Sequence, residues 1–163
     1  MKFHSLGQYF YKLYALLFAL ILIPLGVFIF LYQALQMSIL PQVDHSLAAQ
    51  HVIYVIGGVV ITAWLLSYII FFRGVRAIRK IFSLGDKLSR YATLTIVRSV
   101  IFSIGLLVLV IGYYVTESQW LTIAFIASLV IPLLFWPVPA RVCNHLKLKG
   151  DERMMVLYKM DDL

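Results

Sequence analysis

Acidic residues are scarce in this chain and missing from its long apolar stretches. Seven of 163 residues are Asp or Glu, against fourteen Lys and Arg. None of Asp44, Asp86, Glu117, Asp151, Glu152, Asp161 and Asp162 falls inside a run long enough to cross a bilayer. Proton-coupled pumps and small exporters carry protons on a buried mid-membrane carboxylate, so that chemistry is not expected. The same scatter excludes the aspartate cluster that lipid-synthesising transferases gather around a divalent ion. Cysteine is scarcer still. Cys143 is alone, and membrane disulfide oxidoreductases or quinone-linked thiol oxidases need a pair. His4, His45, His51 and His145 all lie outside the apolar runs' interiors, so no two can bracket a haem. A spacing of six between His45 and His51 suits neither one helical turn nor a zinc pattern, even with Asp44 beside them. No catalytic residue, metal ion or cofactor is expected.

Basic residues are absent from two segments, and that absence is informative. Four stretches, 13–43, 45–72, 99–116 and 118–140, contain no Asp, Glu, Lys or Arg apart from their flanks. Each is long enough for one helical span of about 20 residues and too short for two. Lys2 and Lys12 precede the first; the cluster from Arg73 to Arg98 separates the second and third; Arg141, Lys147, Lys149, Arg153 and Lys159 follow the fourth. The connections between spans one and two and between three and four carry only Asp44 and Glu117. Positive charge is retained on the cytoplasmic side, which predicts both termini and the middle loop inside the cell.

What the chain has in abundance agrees. With 63% hydrophobic, 15% aromatic and 13% charged residues, a soluble fold would be covered in exposed apolar surface. A β-barrel would need shorter segments of alternating polarity. The first run is too long for the hydrophobic part of a secretory signal and lacks a small-x-small cleavage site, so it is expected to remain as an anchor. The expected architecture is an all-α membrane protein, a single domain over 1–163, with four transmembrane helices near 12–36, 52–83, 87–115 and 119–138 arranged as two hairpins. A cytoplasmic tail is expected at 141–163. Trp120, Tyr114 and Tyr54 read as an interfacial belt on the outer side.

Between spans two and three, Val75, Ile78, Ile81 and Phe82 alternate at helical spacing with Arg73, Arg76, Arg79 and Lys80. Span two is therefore expected to continue into the cytoplasm. A tight turn at Leu84-Gly85-Asp86, with Gly85 left-handed and Asp86 capping the next helix, would make 73–91 a basic helical hairpin. That hairpin is either a docking surface for anionic lipid or a partner, or a snorkelling collar that fixes topology. Arg98 lies inside span three on one helical stripe with Tyr91 and Lys87. An arginine at that depth must snorkel or find a partner. The candidate site is a lipid-phosphate site framed by Lys87, Tyr91 and Arg98.

Pro24 and Pro132 fall inside spans one and four and should bend or loosen them. Small residues recur at packing intervals, as Gly58 with Thr62, Ala63 with Ser67, Ser99 with Ser103 and Gly105 with Gly112. They are expected to let helices approach closely, chiefly within the monomer.

Lys87-Leu88, Tyr91, Ile96-Val97-Arg98, Tyr113, Thr116, Pro137, Leu146-Lys147-Leu148 and Glu152 resemble a family of small uncharacterised four-span bacterial inner-membrane proteins. The resemblance covers the second half of the chain. The family usually has an acidic residue five positions after the arginine, where this chain has Ser103. The resemblance implies topology and localisation and no particular activity. The expected function is that of a non-catalytic integral membrane protein, an accessory or scaffolding subunit whose basic cytoplasmic face contacts anionic lipid or a protein partner, with no role for nucleic acid. The alternative is a small oligomeric transporter or channel for an apolar or anionic solute.

Overall fold

Six helices account for nearly all of the structure, a computed structural model that describes residues 6–37 and 48–158. Lys2, His4, Asp44, His45, Lys159, Asp161 and Asp162, with residues 38–47 of the connection between the first two spans, lie outside the described residues. The helices are α1 (Leu6–Gln36), α2 (Ala48–Ile78), α3 (Leu84–Thr116), α4 (Gln119–Leu134), α5 (Pro139–Leu146) and α6 (Gly150–Tyr158). No strand occurs among the described residues.

Three helices, α1, most of α2, and α3, are long and apolar enough to cross a membrane. A fourth crossing is reached if α4 and α5 count as one broken span, bent by 73° at the break. With 16 residues α4 reaches about 24 Å at 1.5 Å per residue, somewhat less than the hydrocarbon thickness. The expected span 119–138 thus stops four residues early. Pro137 and Pro139 explain the stop, because neither can donate to the helical ladder and each disfavours helix in the residue before it. Pro132 sits inside α4 and Pro24 inside α1 without ending either helix.

The turn between α2 and α3 also falls earlier than its sequence reading. Helix α2 ends at Ile78, and Ser83 caps α3, accepting a hydrogen bond from the Asp86 backbone N–H at 3.5 Å. Gly85 lies within the first turn of α3 and is not left-handed. Ser83 and Asp86 have the Ser-x-x-acid spacing of a capping box, and the acidic residue in the first turn also complements the helix dipole. That local signal outcompetes the glycine.

Helix α3 is central. It packs along α1, α2 and α4, whereas α2 makes little contact with either α1 or α4. Close approach is possible because α3 has glycine where its neighbours press in: a Cβ on Gly105 would collide with the Trp64 indole, and one on Gly112 with Ile56. Gly58 meets nothing within 4 Å and faces away from the bundle, so the Gly58 and Thr62 pair does not pack within the chain. Association between apolar helices in lipid rests on such packing rather than on water exclusion.

The buried residues form two cores. One, at the end away from the basic residues, stacks Phe28 on Phe125 at 4.4 Å and surrounds Leu106, Val110 and Leu121. The other, at the basic end, joins Tyr9, Phe10, Phe71, Leu88, Tyr91, Val142 and Val156 from five helices. The described part of the segment expected as a tail, 141–158, therefore folds. Val142, Cys143 and Leu146 line one face of α5, Lys147 and Gly150 adopt positive φ at the turn into α6, and Val156 is completely buried.

Candidate functional site

The first turns of α3 set the site. From the Ser83 cap, helical spacing puts Lys87, Tyr91, Thr95 and Arg98 on one side of α3, and each meets a different partner. Lys87 Nζ donates to both carboxylate oxygens of Glu152 on α6 at 3.1 Å. Tyr91 is buried, and its hydroxyl shares a hydrogen bond of 2.9 Å with His145 Nδ1 on α5. Thr95 Oγ1 donates to the Tyr91 carbonyl one turn back.

Arg98 turns to the break after α4. Its Nη2 donates to the Phe135 carbonyl at 3.3 Å, and its guanidinium lies over the Phe71 ring, 4.3 Å from the centroid. Phe71 also packs edge-on against Tyr91 at 5.8 Å, so one ring holds the two residues together. Lys87 stands apart in its ion pair with Glu152. Arg141 completes the end of α4, with Nη1 donating to the carbonyls of Leu134 and Trp136. The last carbonyls of a helix have no partner within it and carry partial negative charge. Backbone N–H groups of Phe135 and Trp136 take the Ile131 and Leu133 carbonyls, and the two guanidinium groups take those of Leu134, Phe135 and Trp136, so the helix breaks without leaving these carbonyls bare in an apolar setting.

His145, Arg141, Arg79 and Phe135 belong to this site, and the sequence reading did not assign them to it. Arg79 Nε donates to the His145 carbonyl at 2.7 Å. Burial, then the charges of Arg98, Arg141 and Arg79, hold the His145 imidazole below its ordinary pKa of 6.5, so the ring is neutral near pH 7. Burial likewise pushes the Cys143 thiol above its ordinary value. The Pro137-Val-Pro139 break followed by Arg141 was the available signal, since basic residues beside a helix C-terminus bind its carbonyls.

Between the two cores lies a cavity of about 340 Å³, open along part of its wall. Helix α3 supplies Ser99, Phe102 and Ser103, α2 supplies Trp64 and Tyr68, and α1 and the end of α4 close the remaining sides. Ser103 Oγ donates to the Leu20 carbonyl at 2.8 Å, a tie between α3 and α1. Arg98 is the one charged residue in the lining among the described residues. No group of three or more His, Cys, Asp or Glu suited to a metal ion occurs among them either. No family model, no curated protein and no solved structure matches the chain.

Proposed function

We propose that this chain is a non-catalytic, four-span protein of the bacterial inner membrane, with its termini, the basic 73–91 segment and helices α5 and α6 on the cytoplasmic side. In this reading it serves as an accessory or scaffolding subunit that docks through its basic face onto anionic headgroups or a larger assembly. The observation that carries the reading is the basic-end core. Arg73, Arg76, Lys80, Arg90, Lys149 and Arg153 are exposed around it, and five helices hold their backbones in a fixed arrangement. Fixed charges bind an anionic surface with less ordering cost than charges on a loose tail, and each residue near such a surface contributes about 1 kcal/mol. The capped end of α4 supports a fourth crossing made of α4 and the segment 135–138, because Arg98 and Arg141 satisfy the carbonyls of Leu134, Phe135 and Trp136 there.

Gentle extraction of the native membrane complex followed by mass spectrometry tests the proposal. A stoichiometric protein partner released by raising salt is the expected result. A homo-oligomer carrying a retained solute and no partner would favour the small transporter or channel instead.

A further inference from the structure

Two features of the cavity need to be explained together. Its walls are apolar, from Leu17 and Ile21 on α1 to Ile61 and Leu65 on α2, yet one end is a guanidinium. Arg98 has five N–H donors in a rigid fork, and the Phe135 carbonyl accepts from one terminal nitrogen. Arg141 and Arg79 lie close enough to act on the same His145 ring as Arg98. The described carboxylates are elsewhere: Glu152 is engaged by Lys87, Asp86 lies at the start of α3, Asp151 begins α6, and Glu117 is at the far end of α3. Positive charge thus gathers around the Phe71 and Tyr91 rings, and no described carboxylate lines the cavity. Charge complementarity calls for an anion, and the apolar walls call for a hydrocarbon chain attached to it.

We infer that the cavity is a binding site for an anionic phospholipid, with one acyl chain lying between α2 and the α1 and α4 pair over the α3 floor, and the phosphate on Arg98. The cavity of about 340 Å³ is partly open, so a single chain can lie in it and continue into the bilayer. The open wall lets the second chain remain in the bilayer. A guanidinium holds phosphate through two parallel donors, which a lysine cannot reproduce. The inference rests on the proposed membrane orientation and adds a specific ligand to it. Lys87 contributes little to this site, because its ammonium is already bound by Glu152.

The full chain and its Arg98→Leu, Arg98→Lys, Ser99→Phe and Gln119→Ala variants should be expressed in the same membranes. Each is first located by fractionation, then purified in mild detergent as a monodisperse species, and its co-purifying lipid is identified and counted per chain by mass spectrometry. The expected result is an anionic phospholipid retained by the wild type and by Gln119→Ala, which is exposed at the start of α4 and outside the cavity, lost roughly tenfold in Arg98→Leu and partly kept in Arg98→Lys. Ser99→Phe should lose it to the same degree while leaving the arginine in place, which separates occupancy of the cavity from misfolding at Arg98. Absence of the wild type from the membrane fraction would fail the spanning model itself. Correct insertion with equal retention in all five proteins, or retention of a free fatty acid or neutral lipid in place of a phospholipid, would overturn the lipid site alone.

Discussion

Lys87 and Glu152, sixty-five positions apart, meet with the ammonium 3.1 Å from both carboxylate oxygens. The pair ties α6 to the first turns of α3. Lys87 is mostly buried and Glu152 is about a third exposed, so solvent weakens the pair only in part.

Glu152→Gln should therefore loosen α6 without unfolding the bundle, at a cost of about 1 kcal/mol or less. Limited proteolysis would show faster cleavage near residues 147–158. A double-mutant cycle with Lys87→Met should give a coupling energy that falls as salt is raised. Additive single effects would mean that the pair contributes nothing.

His145 makes the basic end sensitive to acid. Its imidazole is held below the ordinary pKa of 6.5, first by burial and then by three arginines. The unfolded state therefore takes up a proton at higher pH than the folded state. Its stabilising contribution is fully present above about pH 6.5 and is lost as pH falls through the lower folded value. Thermal unfolding in detergent should show this decline, and His145→Asn should flatten it. Tyr91→Phe should separately cost about 1–3 kcal/mol, because it leaves His145 Nδ1 short of a partner in a partly buried position.

Glycines in packed and in open surroundings should respond with opposite signs. Gly105→Ala drives a methyl into the Trp64 indole, which is itself stacked on Phe102 at 4.4 Å, and overpacking of this kind costs about 1–3 kcal/mol. Gly58→Ala meets open space and removes a helix-weakening residue, for a gain of up to about 1 kcal/mol. Chemical unfolding in a fixed detergent would rank the two proteins. A destabilised Gly58→Ala would indicate a contact with another molecule on that face.

Orientation can be read with an impermeant maleimide. Cys143 is buried with its thiol pK raised, so it should stay unlabelled until the protein is denatured, and the native chain can serve as its own background. Gln119→Cys should label in intact cells and Lys149→Cys only after the membrane is opened. The reverse pattern would invert the topology.

The long apolar runs made most of the helices legible, because hydropathy records what lipid demands of each residue in turn. Local chemistry was partly legible. Ser83 with Asp86 carried a capping signal that Gly85 obscured, and Pro137 with Pro139 marked the end of α4 inside an apolar run. The site itself was hardest to read. Lys87, Tyr91 and Arg98 do share a side of α3, but their partners Glu152, His145 and Phe135 come from segments whose placement depends on how α5 folds back, and spacing along one helix holds no record of that.

The basic-end core joins Tyr9 and Phe10 to Val142 and Val156, the two extremes of the described chain. At synthesis rates of about 5–20 residues per second, roughly 7–30 s separate the appearance of these partners. During that interval Phe71 on α2 and then Leu88 and Tyr91 on α3 can reach the inward face of α1, but the part of the core that α5 and α6 complete stays open, so lipid or a chaperone must cover it. The nascent protein cannot close until its α6 segment clears the ribosome, which makes this end of the molecule the last to mature and the most vulnerable to premature termination.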